Sequence, residues 1–238
     1  MNSYRKTAII VGVLFITAMV TGMLRFVILD PILNAPNYLI NVSTNENQVI
    51  IGVLFFFIMA IALVGIAIVI YPILKKQNEA LALGYIGARI VEGVLFIVAI
   101  LAILTLFKLS QEFVKAGAPD VSYFQTLGDL LLAVRYYAYN VLWPITLGLG
   151  ALMFYFLLYK SKLIPRWLSV WGLIGAPLFP VAWLSLFGST ISGFFLLPLV
   201  VNEMVLAIWL IAKGFNPSAI ASLSVKTEYT KTDIDQIK

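Results

Sequence analysis

Across 238 residues the chain is 62% hydrophobic and 11% charged, with a mean hydropathy of +1.01. Soluble globular domains are about 45–50% apolar, so this composition belongs to a lipid-embedded protein. With no cysteine and no histidine, disulfides, thiolate and imidazole metal sites, His-ligated haem and His-based triads are all excluded. No cofactor is called for.

A helix crosses the hydrocarbon core with about 20 apolar residues, and six stretches qualify: Ala8–Leu29, Val49–Tyr71, Leu81–Phe107, Leu130–Tyr159, Trp167–Phe187 and Ile191–Ala212. The first follows Arg5 and Lys6, like a signal peptide. Its apolar run is too long for that, and no small-residue cleavage site follows, so it reads as an uncleaved span. Asp30–Gln48 carries turn residues without helical or strand periodicity and reads as an outer loop. Asn47 and Asn78 are placed to cap the second and third helices. Lys108 and Glu112, and Gln111 and Lys115, continue the third helix to Gly117 and Pro119. Ser122–Gln125 reads as a capping box that opens the fourth. Helices three and four are therefore expected to extend outside the membrane as a paired hairpin. Residues 1–217 form the transmembrane domain, and 218–238 a polar, mobile tail.

Basic residues set the orientation. Arg5, Lys6, Lys75, Lys76, Lys160, Lys162, Arg166 and Lys213 fall on one side, while the other carries Lys108 and Lys115. The positive-inside rule puts both termini in the cytoplasm, and an even number of spans, which keeps them on one side, agrees. The net charge of +5 is thus a topology signal, and no nucleic-acid partner is implied. Trp167, Trp171, Tyr155 and Tyr159 suit the inner interface.

The chemistry-bearing residues lie inside the spans. Arg89 and Glu92 sit ~12 and ~16 Å inward from Leu81, and Glu203 lies ~15 Å from Lys213 with Asn202 beside it. A charge near the bilayer centre costs roughly 2.5–3.5 kcal/mol on insertion scales, so these groups pair or function. If helices three and six bring both glutamates to Arg89, the carboxyls are expected to share one proton. Arg25 lies near the outer end of span one, above Thr17 and Thr21. Arg135 lies near the outer end of span four, followed by Tyr136, Tyr139 and Asn140. The two arginines either snorkel to head groups, the favoured reading, or line an outward mouth for an anion together with Tyr139. Pro144, Pro177, Pro180 and Pro198 mark irregular backbone inside spans. Glu92-Gly-Val-Leu-Phe-Ile and Glu203-Met-Val-Leu-Ala-Ile align weakly, as an inverted three-plus-three repeat would require.

Tyr155–Pro177, YFLLYKSKLIPRWLSVWGLIGAP, resembles a bacterial six-span membrane family filed as domain of unknown function 4386. Ala88-Arg-Ile-Val-Glu92 looks like the arginine-to-glutamate signature of the same family. The resemblance extends over essentially the whole chain. It implies a multi-pass protein of the bacterial cytoplasmic membrane and implies no reaction.

The sequence thus predicts an all-α, polytopic membrane helix bundle whose partner is the lipid bilayer. Three functional readings stay open. One is binding or translocation of a small molecule, ion or lipid at Arg89, Glu92, Asn202, Glu203 and Asn140. Another is a structural or accessory subunit whose buried charges fix helix packing. The third is an intramembrane acid–base enzyme, which no nucleophile, metal set or phosphate loop supports.

Overall fold

The structure is a computed structural model that describes residues 3–118, 123–184 and 189–223, with the side chains of 189–193 outside that description. The described residues are overwhelmingly helical and contain no strand. In chain order the helices are α1 (Ser3–Leu33), α2 (Tyr38–Thr44), α3 (Glu46–Leu74), α4 (Glu79–Lys115), α5 (Tyr123–Tyr136), a π-helical segment (Tyr137–Leu142), α6 (Trp143–Ser161), α7 (Arg166–Trp183) and α8 (Ser189–Ala212). Among the described residues, five continuous helical stretches are long and apolar enough to cross a membrane: Ser3–Leu33, Glu46–Leu74, Glu79–Lys115, Tyr123–Ser161 and Phe194–Ala212. Large apolar side chains such as Met23, Val27 and Phe194 are more than 60% exposed. Water would oppose such surfaces and acyl chains would not. The chain is a polytopic helical membrane bundle.

The helices contribute to two compact units. One contains α1 up to Ile16, Val64–Ile90 and the described chain from Ile145 onward; the other contains Thr17–Leu63 and Val91–Pro144. Each unit draws on both halves of the sequence, so the division does not follow a three-plus-three repeat.

In the first unit, small residues allow close helix approach. A Cβ on Gly12 would lie 2.7 Å from the Ala207 carbonyl oxygen, and one on Gly175 would lie 3.0 Å from the Leu199 backbone nitrogen. These contacts fix α1 against α8 and α7 against α8. Arg5 donates to the carbonyls of Leu210 at 2.9 Å and Ile211 at 2.6 Å. It thereby satisfies last-turn acceptors of α8 that no helical partner reaches. Tyr155 is fully buried against Gly172 and does not sit at an interface; the glycine leaves space that its ring fills. Residues 217–223, at the start of the expected polar tail, form a short helix with Ala219 and Leu223 buried. Their apolar spacing of four gives that turn a face to dock. The rest of the tail, like Pro119, Ser122 and Ser185, lies outside the described residues.

The second unit corrects the reading of Asp30–Gln48 as an open loop. Helix α1 runs on through Asp30 and Pro31 to Leu33, and Asn34 N–H donates to the Asp30 carbonyl at 3.0 Å. Proline removes one donor but leaves the next turn free to form. Helix α2 then packs Tyr38, Leu39 and Val42 inward. The Tyr38 hydroxyl donates to Asp129 Oδ1 at 2.7 Å, and the Ser110 hydroxyl donates to the Leu39 carbonyl. No seven-residue helix is stable alone, so these tertiary contacts hold α2. Asn47 lies inside the first turn of α3 and does not cap it, whereas Asn78 accepts from Leu81 N–H at 2.9 Å and caps α4 as expected. At the far end of α4, Lys108 and Lys115 each donate to Glu112 at 3.1 Å, where Gln111 was the expected partner of Lys115. Gly117, at φ +83°, ends the helix in the left-handed region.

Candidate functional site

The densest buried charge lies in the second unit. Asp30 Oδ1 accepts from Arg25 Nη2 at 2.9 Å and from Arg135 Nη2 at 2.7 Å, with the side chains of Arg25 and Arg135 only 0% and 7% exposed. Neither arginine snorkels. Arg25 Cζ lies 4.9 Å from the Phe56 ring centre and 4.3 Å from that of Tyr139, so its charge also rests against two aromatic faces. Two guanidinium charges and one carboxylate leave a formal +1 within this cluster. Nε and Nη1 of Arg25 and Nε of Arg135 have no hydrogen-bond partner among the described residues. Thr21 donates back to the Thr17 carbonyl at 2.7 Å. It is spent within its own helix.

The π-helical segment shapes the same region. Pro144 cannot donate to Asn140, and Trp143 N–H instead reaches the Ala138 carbonyl, five residues back. The local widening puts Tyr139 and Trp143 in stacking contact, ring centres 4.8 Å apart, and leaves Asn140 half-buried. Trp143 also packs on Phe96 and donates from Nε1 to Glu92 Oε2 at 3.3 Å. A buried ladder therefore runs from Arg25 through Tyr139 and Trp143 to Glu92, which is itself fully buried.

The first unit holds the other expected residues. Arg89 Nη2 lies 3.8 Å from Glu203 Oε1, and Arg89 Nε is 3.3 Å from the Tyr85 hydroxyl. Tyr85 stacks on Phe154 with ring centres 4.9 Å apart. Asn202, fully buried, donates to the Leu168 carbonyl at 2.9 Å and ties α8 to α7. Of the three residues expected to converge, Arg89 and Glu203 meet in this unit. Glu92 belongs to the other, with Trp143 on its carboxylate.

Sequence reasoning missed Asp30, the hub of the denser cluster. The available signal was an acid at a span end, five residues beyond a buried-depth arginine and directly before a proline. No group of three or more acidic, histidine or cysteine side chains placed to hold a metal occurs among the described residues.

Comparison with known proteins adds one result. No curated protein and no solved structure matches the chain. The model of a family described as "Domain of unknown function (DUF4386)" matches residues 10–214. With the match covering most of its length, the chain belongs to the DUF4386 family.

Proposed function

We propose that this is a six-span protein of the bacterial cytoplasmic membrane, termini inside, that binds an acidic small molecule or lipid through Arg25 and Arg135. For the sixth span we take α7, whose 18 residues reach ~27 Å, close to the thickness of the hydrocarbon core. The carrying observation is the set of three guanidinium nitrogens left without hydrogen bonds among the described residues, beside one shared carboxylate. A buried, unsatisfied charged donor costs at least about 1–3 kcal/mol. A bound carboxylate or phosphate would satisfy these donors and offset the surplus positive charge, and the planar guanidinium fork suits such groups. Asp30, 19% exposed against 0% and 7% for Arg25 and Arg135, is the most accessible member of the cluster.

A second reading is favoured by the Asn202–Leu168 bond and the Arg89–Glu203 pair. These cross-link helices without needing a ligand, as packing devices would. Native mass spectrometry of the gently extracted full-length protein separates the two. Ligand binding requires an acidic species that copurifies with the parent and is lost from a folded Arg135→Gln variant. A parent that carries no acidic species, beside a variant that is merely less stable, would leave helix packing as the role of the cluster.

A further inference from the structure

A second basic feature lies in the first unit, among residues unused by the site above. A cavity of about 510 Å³ opens between the α6–α7 connection and the end of α8, within the ~300–1,000 Å³ range of small-ligand sites. Lys162, Arg166 and Lys213 line it together with Trp209, Leu163 and Phe215, and among the described residues none of those lining it is acidic. Three positive charges around one concavity repel each other, so the arrangement favours an anion.

The cavity is built on fixed backbone. Lys162 has φ +55° and Gly214 has φ +75°, so the chain turns through the left-handed region on both sides. Asn216 N–H donates to the Leu163 carbonyl at 2.9 Å and joins the two segments. Leu163, Ile164 and Phe215 are buried and form an apolar floor beneath the exposed cationic rim. Helix α7 also starts here. Its N-cap is Pro165, which offers no side-chain cap, and the first helical bonds run from Leu168 and Ser169 to the Pro165 carbonyl. The N–H groups of Arg166 and Trp167 precede those bonds, at the positive end of the helix dipole.

We infer that this cavity binds a phosphate group, held by Lys162, Arg166, Lys213 and the start of α7. The phosphate comes either from an anionic lipid head group, whose chains would lie along Trp209, or from free phosphate. The cavity stands apart from the Arg25–Asp30–Arg135 proposal and survives its failure.

The test uses full-length protein in detergent, read by native mass spectrometry with phosphatidylglycerol, phosphatidylcholine and inorganic phosphate as separate probes. The expected result is that the parent retains phosphatidylglycerol over phosphatidylcholine by about ten-fold or more, given the attraction of each basic residue for an anionic surface. Combined Lys162→Asn, Arg166→Gln and Lys213→Gln substitution should erase that preference; asparagine is chosen because it tolerates the left-handed backbone. Equal lipid retention with phosphate binding that the triple variant loses would support the free-phosphate source. A parent that neither prefers the anionic lipid nor binds phosphate, or a triple variant that keeps either property, overturns the proposal. Should the triple variant fail to melt cooperatively, Arg166→Gln and Lys213→Gln singly should each weaken retention by about five-fold, and Lys213→Arg should not.

Discussion

Arg135 Nη2 and Asp30 Oδ1, 105 residues apart in the chain, meet at 2.7 Å. Arg25 donates to the same oxygen, so a single carboxylate anchors two nearly buried cations from different helices. Removing that carboxylate leaves both guanidiniums uncompensated. Asp30→Asn is expected to destabilise the protein by about 3 kcal/mol, the lower end of the range for breaking a buried pair, because Asp30 is partly exposed. Thermal melting in detergent micelles checks this. Combining it with Arg135→Gln should cost clearly less than the sum of the single changes, because the two residues share one interaction.

Arg89 and Glu203 are 3.8 Å apart, a longer and looser pair. Glu203→Gln should therefore cost about 1–2 kcal/mol, less than Asp30→Asn in the same assay, since Coulomb attraction falls with distance and glutamine keeps the side-chain volume. A larger loss than at Asp30 would reverse the ranking of the two clusters.

Gly172 faces the buried Tyr155 ring, and an added Cβ would fall well inside contact distance of its carbons. Gly172→Ala is expected to lower stability by about 1–3 kcal/mol through overpacking. Tyr155→Leu in the same background should recover part of the loss, measured as a rise in the melting midpoint relative to the single variant.

Tyr38 lies in α2, outside the membrane segments. Burial first, then its hydrogen bond to Asp129 and that residue's charge, push its hydroxyl well above the ordinary tyrosine range. The folded state thus holds this proton more tightly than the unfolded chain, whose value is about 10. The resulting stability is complete below about pH 10 and is lost as pH rises toward and through the folded-state value. Tyr38→Phe should be less stable than the parent at pH 8, and the gap should narrow between pH 10 and 11. A gap that stays constant over that interval would contradict the assignment.

How much was legible in advance differs by residue. Composition and span length placed the chain in the membrane, because hydrocarbon accepts only apolar faces and internally bonded backbone, and both are properties of local sequence. The break at Pro144 was legible for the same reason: a missing N–H frees a carbonyl wherever the helix lies, and the π-helical segment is how the backbone absorbs it. The Lys108–Glu112 pair and the Asn78 cap were readable from spacings of four and three residues along one helix.

Asp30 and α2 were not readable. A single acid before a proline looks like a turn, and seven residues without strong periodicity look like a loop, until Arg135, Ser110 and Asp129 arrive from elsewhere in the chain. Arg25 and Arg135 had the depth of snorkelling residues, and only the packing of α1 and α5 in one unit turned them toward a common carboxylate. Helical periodicity tells which side chains share a face of one helix. Which face meets which is decided by the helices that close around it, and that choice determined where the buried charge came to rest.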